Sequence, residues 1–224
     1  MKTISIIISV MIVCCSVQFA QSSKKVVYNA ESKSIIVPEG NRGQVKTDGI
    51  FSKGEWDDAV NYNIPGNCKI FMKKADGNLY IGLKSEKPFV CDLWITFSGN
   101  PIYQLHVSGA LAQAVINSFP FNENDSKLLV LGDKNWAANY LTENKAKEAA
   151  WIGAGKPKGE KYWEIFDWAG ALEYKINLKS LNILKNSLRI KINYYNGSGE
   201  YSYPLNSTGK NADNWLEIIL PGQK

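Results

Sequence analysis

The chain has 224 residues, 26 lysines and arginines against 21 aspartates and glutamates, and a net charge of +5. Its lysines are scattered among acids rather than gathered in a block, which describes a solvated mixed surface and not a nucleic-acid footprint. A single histidine, His106, excludes a two- or three-histidine transition-metal site and restricts any nucleophile–histidine arrangement to that one position.

The first 20 residues open on Met1-Lys2, run apolar from Ile4 to Val13 and end on a small residue, Ala20. A basic start, a short apolar stretch and a small residue before the cut are the marks of a secretory signal peptide, so residues 1–20 are expected to be removed and the protein to be secreted, periplasmic or held in the cell envelope. Val13 and Cys14 are poor neighbours for a lipid-anchored cysteine at position 14 or 15. No later stretch reaches the roughly 20 apolar residues that cross a bilayer. The remaining chain is long enough for one domain with a substantial core, expected over 24–221. Two of the four cysteines leave with the signal, and Cys68 and Cys91 remain. An exported protein permits a disulfide between them. If 70–74, 79–84 and 91–97 form a plain meander, however, the two would flank a middle strand and lie about 10 Å apart, beyond disulfide reach.

The stretch "KTDGIFSKGEWDDAV", residues 46–60, surrounds Trp56 with Glu55, Asp57 and Asp58. Such a cluster suits either an acid–base site with an aromatic platform or an opening turn whose acids bond backbone N–H groups while Trp56 and Ala59 point inward. The acids are adjacent in sequence, and glycoside hydrolysis needs two carboxyls held roughly 5–10 Å apart across a sugar, which favours the turn.

Period-two alternation follows. Leu79, Ile81 and Leu83 alternate with Tyr80, Gly82 and Lys84; Cys91, Leu93, Ile95 and Phe97 alternate with Asp92, Trp94 and Thr96; Leu188, Ile190, Ile192 and Tyr194 alternate with Arg189, Lys191, Asn193 and Tyr195. These read as half-buried antiparallel strands. Ala75-Asp76-Gly77-Asn78 and Asn196-Gly197-Ser198-Gly199 supply tight turns, and residues 215–220 a last strand. The pattern predicts an all-β fold, an antiparallel two-sheet β-sandwich of jelly-roll-like type, with a less regular middle segment. There, residues 139–150 fit either a helix capped by Thr142 or a strand, with strand slightly favoured.

The lone His106 alternates with Gln104 and Ser108 and reads as a satisfied strand histidine. Met72, another residue able to ligate haem, shares a strand side with Ile70 and reads as core. No cofactor is expected; calcium is the one open ion, at Asn122, Glu123, Asn124 and Asp125 with Asp133 near in sequence, because oxygen ligands suit it. Asn124, Asn196 and Asn206 begin Asn-x-Ser/Thr triplets.

Seven tryptophans exceed what one core of this size needs. Trp56 and Trp215 occupy inward pattern positions. Trp94, beside Asp92, faces away from the apolar side of its strand, and Trp136, Trp151, Trp163 and Trp168 gather in the middle segment. A flat indole stacks on the apolar face of a pyranose while nearby polar groups bond its hydroxyls. The same rings could instead pack beneath a long insertion.

Lys46-Thr47-Asp48-Gly49 followed by Gly54-Glu55-Trp56 and Ala59, the Leu79–Leu83 strand "LYIGL", and the late stretch Leu172-Glu173-Tyr174-Lys175-Ile176-Asn177-Leu178 with Leu181 together resemble the family-9 carbohydrate-binding modules and their DOMON-like relatives. The resemblance spans roughly 37–97 and 171–220. It implies an exported antiparallel β-sandwich associated with glycan-degrading enzymes, or in other branches a haem binder. The function expected is a secreted, non-catalytic domain with no catalytic residues. It would hold a carbohydrate ligand, a polysaccharide or sugar end, through Asp92, Trp94, Trp136, Trp151, Trp163 and Trp168. A glycoside hydrolase, or a structural or adhesive envelope protein without a small ligand, are the alternatives.

Overall fold

A computed structural model of the chain describes residues 28–40, 45–85, 90–97, 101–108, 111–117, 136–138, 171–181, 186–209 and 211–221, with only the backbone at 111 and 112. The described residues form two stacked sheets with no helix, the β-sandwich that the alternation predicts. Residues 1–20, the helix-or-strand segment 139–150 and the oxygen-rich stretch 122–133 lie outside them.

The strands are β1 (Ser34–Ile36), β2 (Val60–Ile64), β3 (Cys68–Ala75), β4 (Asn78–Lys84), β5 (Val90–Thr96), β6 (Ile102–Val107), β7 (Leu111–Ile116), β8 (Trp136–Ala138), β9 (Ala171–Asn177), β10 (Ser187–Tyr195), β11 (Glu200–Tyr203) and β12 (Leu216–Ile219). One sheet runs β1-β12-β10-β5-β6-β7, and the other β2-β3-β4-β9-β8. β10, nine residues long, has room for two partners on one edge: β12 pairs with Ser187–Ile190 and β11 with Ile192–Tyr195. All described ladders are antiparallel except β1 on β12.

Asp76 and Gly77 both take positive φ, 49° and 73°, and close the tight β3–β4 hairpin. The next step departs from the meander. β5 leaves β4 and joins the opposite sheet, between β10 and β6, while β9 takes the place beside β4. Cys68 on β3 and Cys91 on β5 therefore belong to different sheets, and both are buried free thiols. Burial pushes the Cys68 thiol up to about 12 and that of Cys91 further.

The core lies between the sheets. Ile70, Met72, Leu79, Ile81, Leu83 and Tyr174 from one face meet Leu93, Ile95, Leu105, Ile190 and Ile192 from the other. Tyr174 on β9 carries its hydroxyl across the sandwich to within hydrogen-bond reach of the Cys91 and Leu105 carbonyls, and the Tyr62 and Tyr203 hydroxyls meet at 2.8 Å. Such bonds satisfy the phenols without opening the core to water.

β4 is buried on both faces rather than half-buried. The segment 45–59 lies over the outer face of its sheet, where Val45, Trp56, Ala75 and Tyr80 form a second small core with Phe51, Ala59 and Phe71. Gly82 makes this possible: a Cβ there would stand 2.7 Å from Phe51 Cζ and 2.9 Å from Trp56 Cζ2.

Candidate functional site

Two acids of the opening stretch, Glu55 and Asp58, serve the structure. Glu55 accepts the Lys46 N–H at 2.7 Å and the Ser52 N–H at 3.1 Å, and so closes its own turn. Asp58 accepts from Lys73 Nζ at 3.1 Å; Lys73 has no solvent exposure and also donates to the Glu55 carbonyl at 2.8 Å. Glu173, in the late stretch of the sequence pattern, is fully buried. Its carboxylate accepts from Trp56 Nε1 at 3.0 Å and from the N–H groups of Asp48 and Gly49 at 3.1 and 2.9 Å. It thereby ties the two separated halves of the sequence pattern into one knot. Burial, which outweighs these hydrogen bonds, raises its pKa to about 7.

A second group of polar side chains lies on the outer face of the other sheet. Because Cys91, Leu93 and Ile95 face the core, Asp92 and Trp94 face outward, and register sets Asp92 beside His106 on β6 and Asn193 on β10. One step along, Trp94 stands between Gln104 and Lys191.

The face divides into two zones. In the first, the chain following β11 folds back over the sheet and makes an apolar cluster of Ile102, Ile116, Ala212 and Trp215, against which Trp94 packs. The Trp94 ring meets Trp215 edge-on at 6.3 Å, and Lys191 Nζ lies 5.1 Å from its centroid. Burial lowers the Lys191 pKa. Trp94 is thus half-buried, and its Nε1–H is shielded from water with no acceptor among the described residues. A second opening of about 420 Å³ lies beside Trp215 and Leu205, but its arginine, Arg189, already bonds Asp213 and the Ala212 carbonyl.

The second zone is polar and open. A cleft of about 450 Å³ is lined by Val90, Asp92, Asn193, Tyr195, Glu200 and Ser202, with Tyr194 and Tyr201 at its wall. Asn193 Oδ1 accepts from Lys191 Nζ at 2.8 Å and from Ser202 Oγ at 2.9 Å, which fixes the amide and leaves its Nδ2 donors without a partner among the described residues. The Glu200 carboxylate and the Tyr195 hydroxyl are likewise unpartnered there, and Tyr195 is 41% exposed. Tyr201 stacks on Tyr194 at 5.5 Å, and Tyr194 anchors its hydroxyl on the Pro65 carbonyl. Asp92 Oδ1 is held by His106 Nδ1 at 2.9 Å and Gln104 Nε2 at 3.1 Å. Both nitrogens of His106 are bonded, as expected, though the ring lies on the open face rather than in the core.

Of the site residues expected from sequence, the cleft contains Asp92, and Trp94 is its neighbour in the sheet. Trp136 is corrected: it is 8% exposed, packs on Tyr174 in the main core and donates to Gln113 Oε1 at 2.8 Å, so it offers no face to a ligand. Trp151, Trp163 and Trp168 lie outside the described residues. Asn193, Tyr195, Glu200 and Ser202 were not singled out. Their signal was present in the alternation of β10, which sends Asn193 and Tyr195 outward, but their meeting with Asp92 depends on β5 crossing between sheets. Among the described residues no cluster of three or more His, Cys, Asp or Glu side chains could hold a metal ion.

The fold is a β-sandwich with a small polar and aromatic cleft on one outer face. No protein family's profile matches the chain, and no curated protein sequence does so. Among solved structures it is similar to a carbohydrate-binding module of family 9 from Caldicellulosiruptor kristjanssonii, in complex with cellotriose. That alignment covers 86% of this chain and 95% of the other, with 13% identity and a TM-score of 0.44. At that distance the ligand of one protein says nothing about the ligand of the other.

Proposed function

We propose that the protein is an exported carbohydrate-binding protein whose site is the cleft around Asp92. The observation that carries this reading is the meeting of unpartnered donors and acceptors with an exposed ring: Asn193 Nδ2, the Glu200 carboxylate and the Tyr195 phenol. Sugar hydroxyls both donate and accept, so an amide donor and a carboxylate acceptor in one cleft can bond neighbouring hydroxyls, while an exposed phenol ring covers a pyranose C–H face. Lys191 and Ser202 both bond Asn193 Oδ1, so the amide is already oriented before a ligand arrives. Export rests on the sequence of residues 1–20.

Calorimetric titration with a panel of soluble cello-, xylo-, manno- and chito-oligosaccharides tests the reading. Binding of at least one is expected, weakened about tenfold or more by Tyr195→Ala and by Asn193→Ala, since each removes a ring or a fixed amide worth on the order of 1–2 kcal/mol. No heat at millimolar concentrations of any of these sugars would refute it.

A further inference from the structure

Asp92 has a second set of neighbours, on the side of β6. Its Oδ1 lies 2.9 Å from His106 Nδ1, and the other ring nitrogen, Nε2, lies 3.0 Å from Ser108 Oγ. A carboxylate only accepts, so the tautomer that satisfies Asp92 carries its proton on Nδ1 and turns the lone pair of Nε2 toward the serine hydroxyl. Gln104 Nε2, at 3.1 Å from the same Oδ1, holds the carboxylate from a second direction. The order nucleophile, base and orienting acid is the one that activates a serine, and it is recognised by geometry and not by position in the chain. Here Asp92 and His106 face each other in register on β5 and β6, and Ser108 follows directly on the end of β6, where the 3.0 Å contact brings its hydroxyl back to the His106 ring. The His106 and Asp92 side chains are 33% and 28% exposed, so a substrate can reach them.

We propose that Ser108, His106 and Asp92 form a serine esterase centre that removes acyl groups from alcohols. Ser108 Oγ attacks the carbonyl carbon of an ester and forms a C–O bond as its proton passes to His106 Nε2. The tetrahedral adduct collapses, the bond to the alcohol oxygen breaks, and that oxygen takes the proton from Nε2. Water then attacks the acyl-serine, giving its proton to Nε2. The carboxylic acid leaves, and the proton returns to Oγ. Ester and water become alcohol and acid, with no other reactant. Asp92 keeps the imidazole in the required tautomer and stabilises the imidazolium formed at each proton transfer. Because Asp92 also lines the cleft, the substrate class is an O-acylated sugar seated beside Asn193 and Glu200; this part rests on the carbohydrate reading, whereas the acyl chemistry does not.

The experiment uses the full chain with a fluorophosphonate probe, followed by intact mass and peptide mapping, and p-nitrophenyl acetate as turnover substrate. A single adduct on Ser108 is expected, absent in Ser108→Ala. Turnover should fall about 100-fold or more in Ser108→Ala and in His106→Ala, the usual range for losing a nucleophile or its base. Folded wild-type protein whose Ser108 takes no adduct overturns the proposal, as does turnover unchanged in Ser108→Ala. Labelled Ser108 in a protein that binds none of the oligosaccharides supports the esterase centre and refutes the carbohydrate cleft alone.

Discussion

Glu173 is surrounded by three N–H donors where water would otherwise be, and its pKa of about 7 records that burial outweighs them. In the unfolded chain the carboxyl titrates near 4.5. Between those values the folded protein keeps a proton that the unfolded chain releases. The contribution of Glu173 is therefore fully present below about pH 4.5 and is lost as pH rises through 7, on the order of 2–3 kcal/mol in total. Urea unfolding followed at several pH values between 4.5 and 7.5 should show this loss in the wild-type protein. In Glu173→Gln, which cannot ionise, the slope over that window should be flatter. At the same scale Lys73 is a buried cation held by the Asp58 carboxylate and the Glu55 carbonyl. Asp58→Ala leaves that charge without its counter-ion and should cost about 3 kcal/mol, read as a shift of the urea midpoint.

The element that departs most from its sequence pattern is β4. Its alternation describes one buried face, yet Tyr80 and Gly82 are covered as completely as Leu79 and Ile81, because the segment 45–59 lies across them. Trp56 can approach the strand backbone only where a side chain is missing, and Gly82 supplies that position. The Gly82→Ala variant puts a methyl group within 3 Å of two aromatic rings. It should be destabilised by about 1–3 kcal/mol, seen as a lower midpoint in thermal or urea unfolding, with the β-rich circular dichroism spectrum kept. A result at or above wild-type stability would mean that the opening segment does not pack there. β5 departs in another way: nothing in its own alternation distinguishes a neighbour of β4 from a strand of the facing sheet.

For the whole molecule that crossing decides both the thiols and the site. Had β3, β4 and β5 formed a meander, Cys68 and Cys91 would flank one strand; instead they approach the same core from opposite sheets, reduced and shielded. Protein made without residues 1–20, and so without Cys14 and Cys15, should, when isolated without reductant, give two thiols by Ellman titration in denaturant and almost none while folded, because burial holds both thiols protonated at neutral pH. Fewer than two in denaturant would show a bridge. The same crossing sets Asp92 between β10 and β6, with Asn193 on one side and His106 on the other. One carboxylate thus serves the cleft and the Ser108–His106 chain.

The sequence by itself determined the all-β sandwich, its tight turns and the outward position of Asp92, because period-two alternation and turn chemistry act over a few neighbouring residues. Trp56 and Trp215 are buried, but each packs on the outer face of a sheet and not between the two. The sequence also linked the opening stretch with the segment around Glu173, though not the buried hydrogen bonds that join them. Only the tertiary structure decided which strands are neighbours. That choice put Trp136 in the core, drew Trp94 under Lys191 and against Trp215, and gathered Asp92, Asn193, Tyr195 and Glu200 around one cleft. Sheet order is a matter of how two apolar faces close over each other, and local alternation is the same for every order that buries the same side chains.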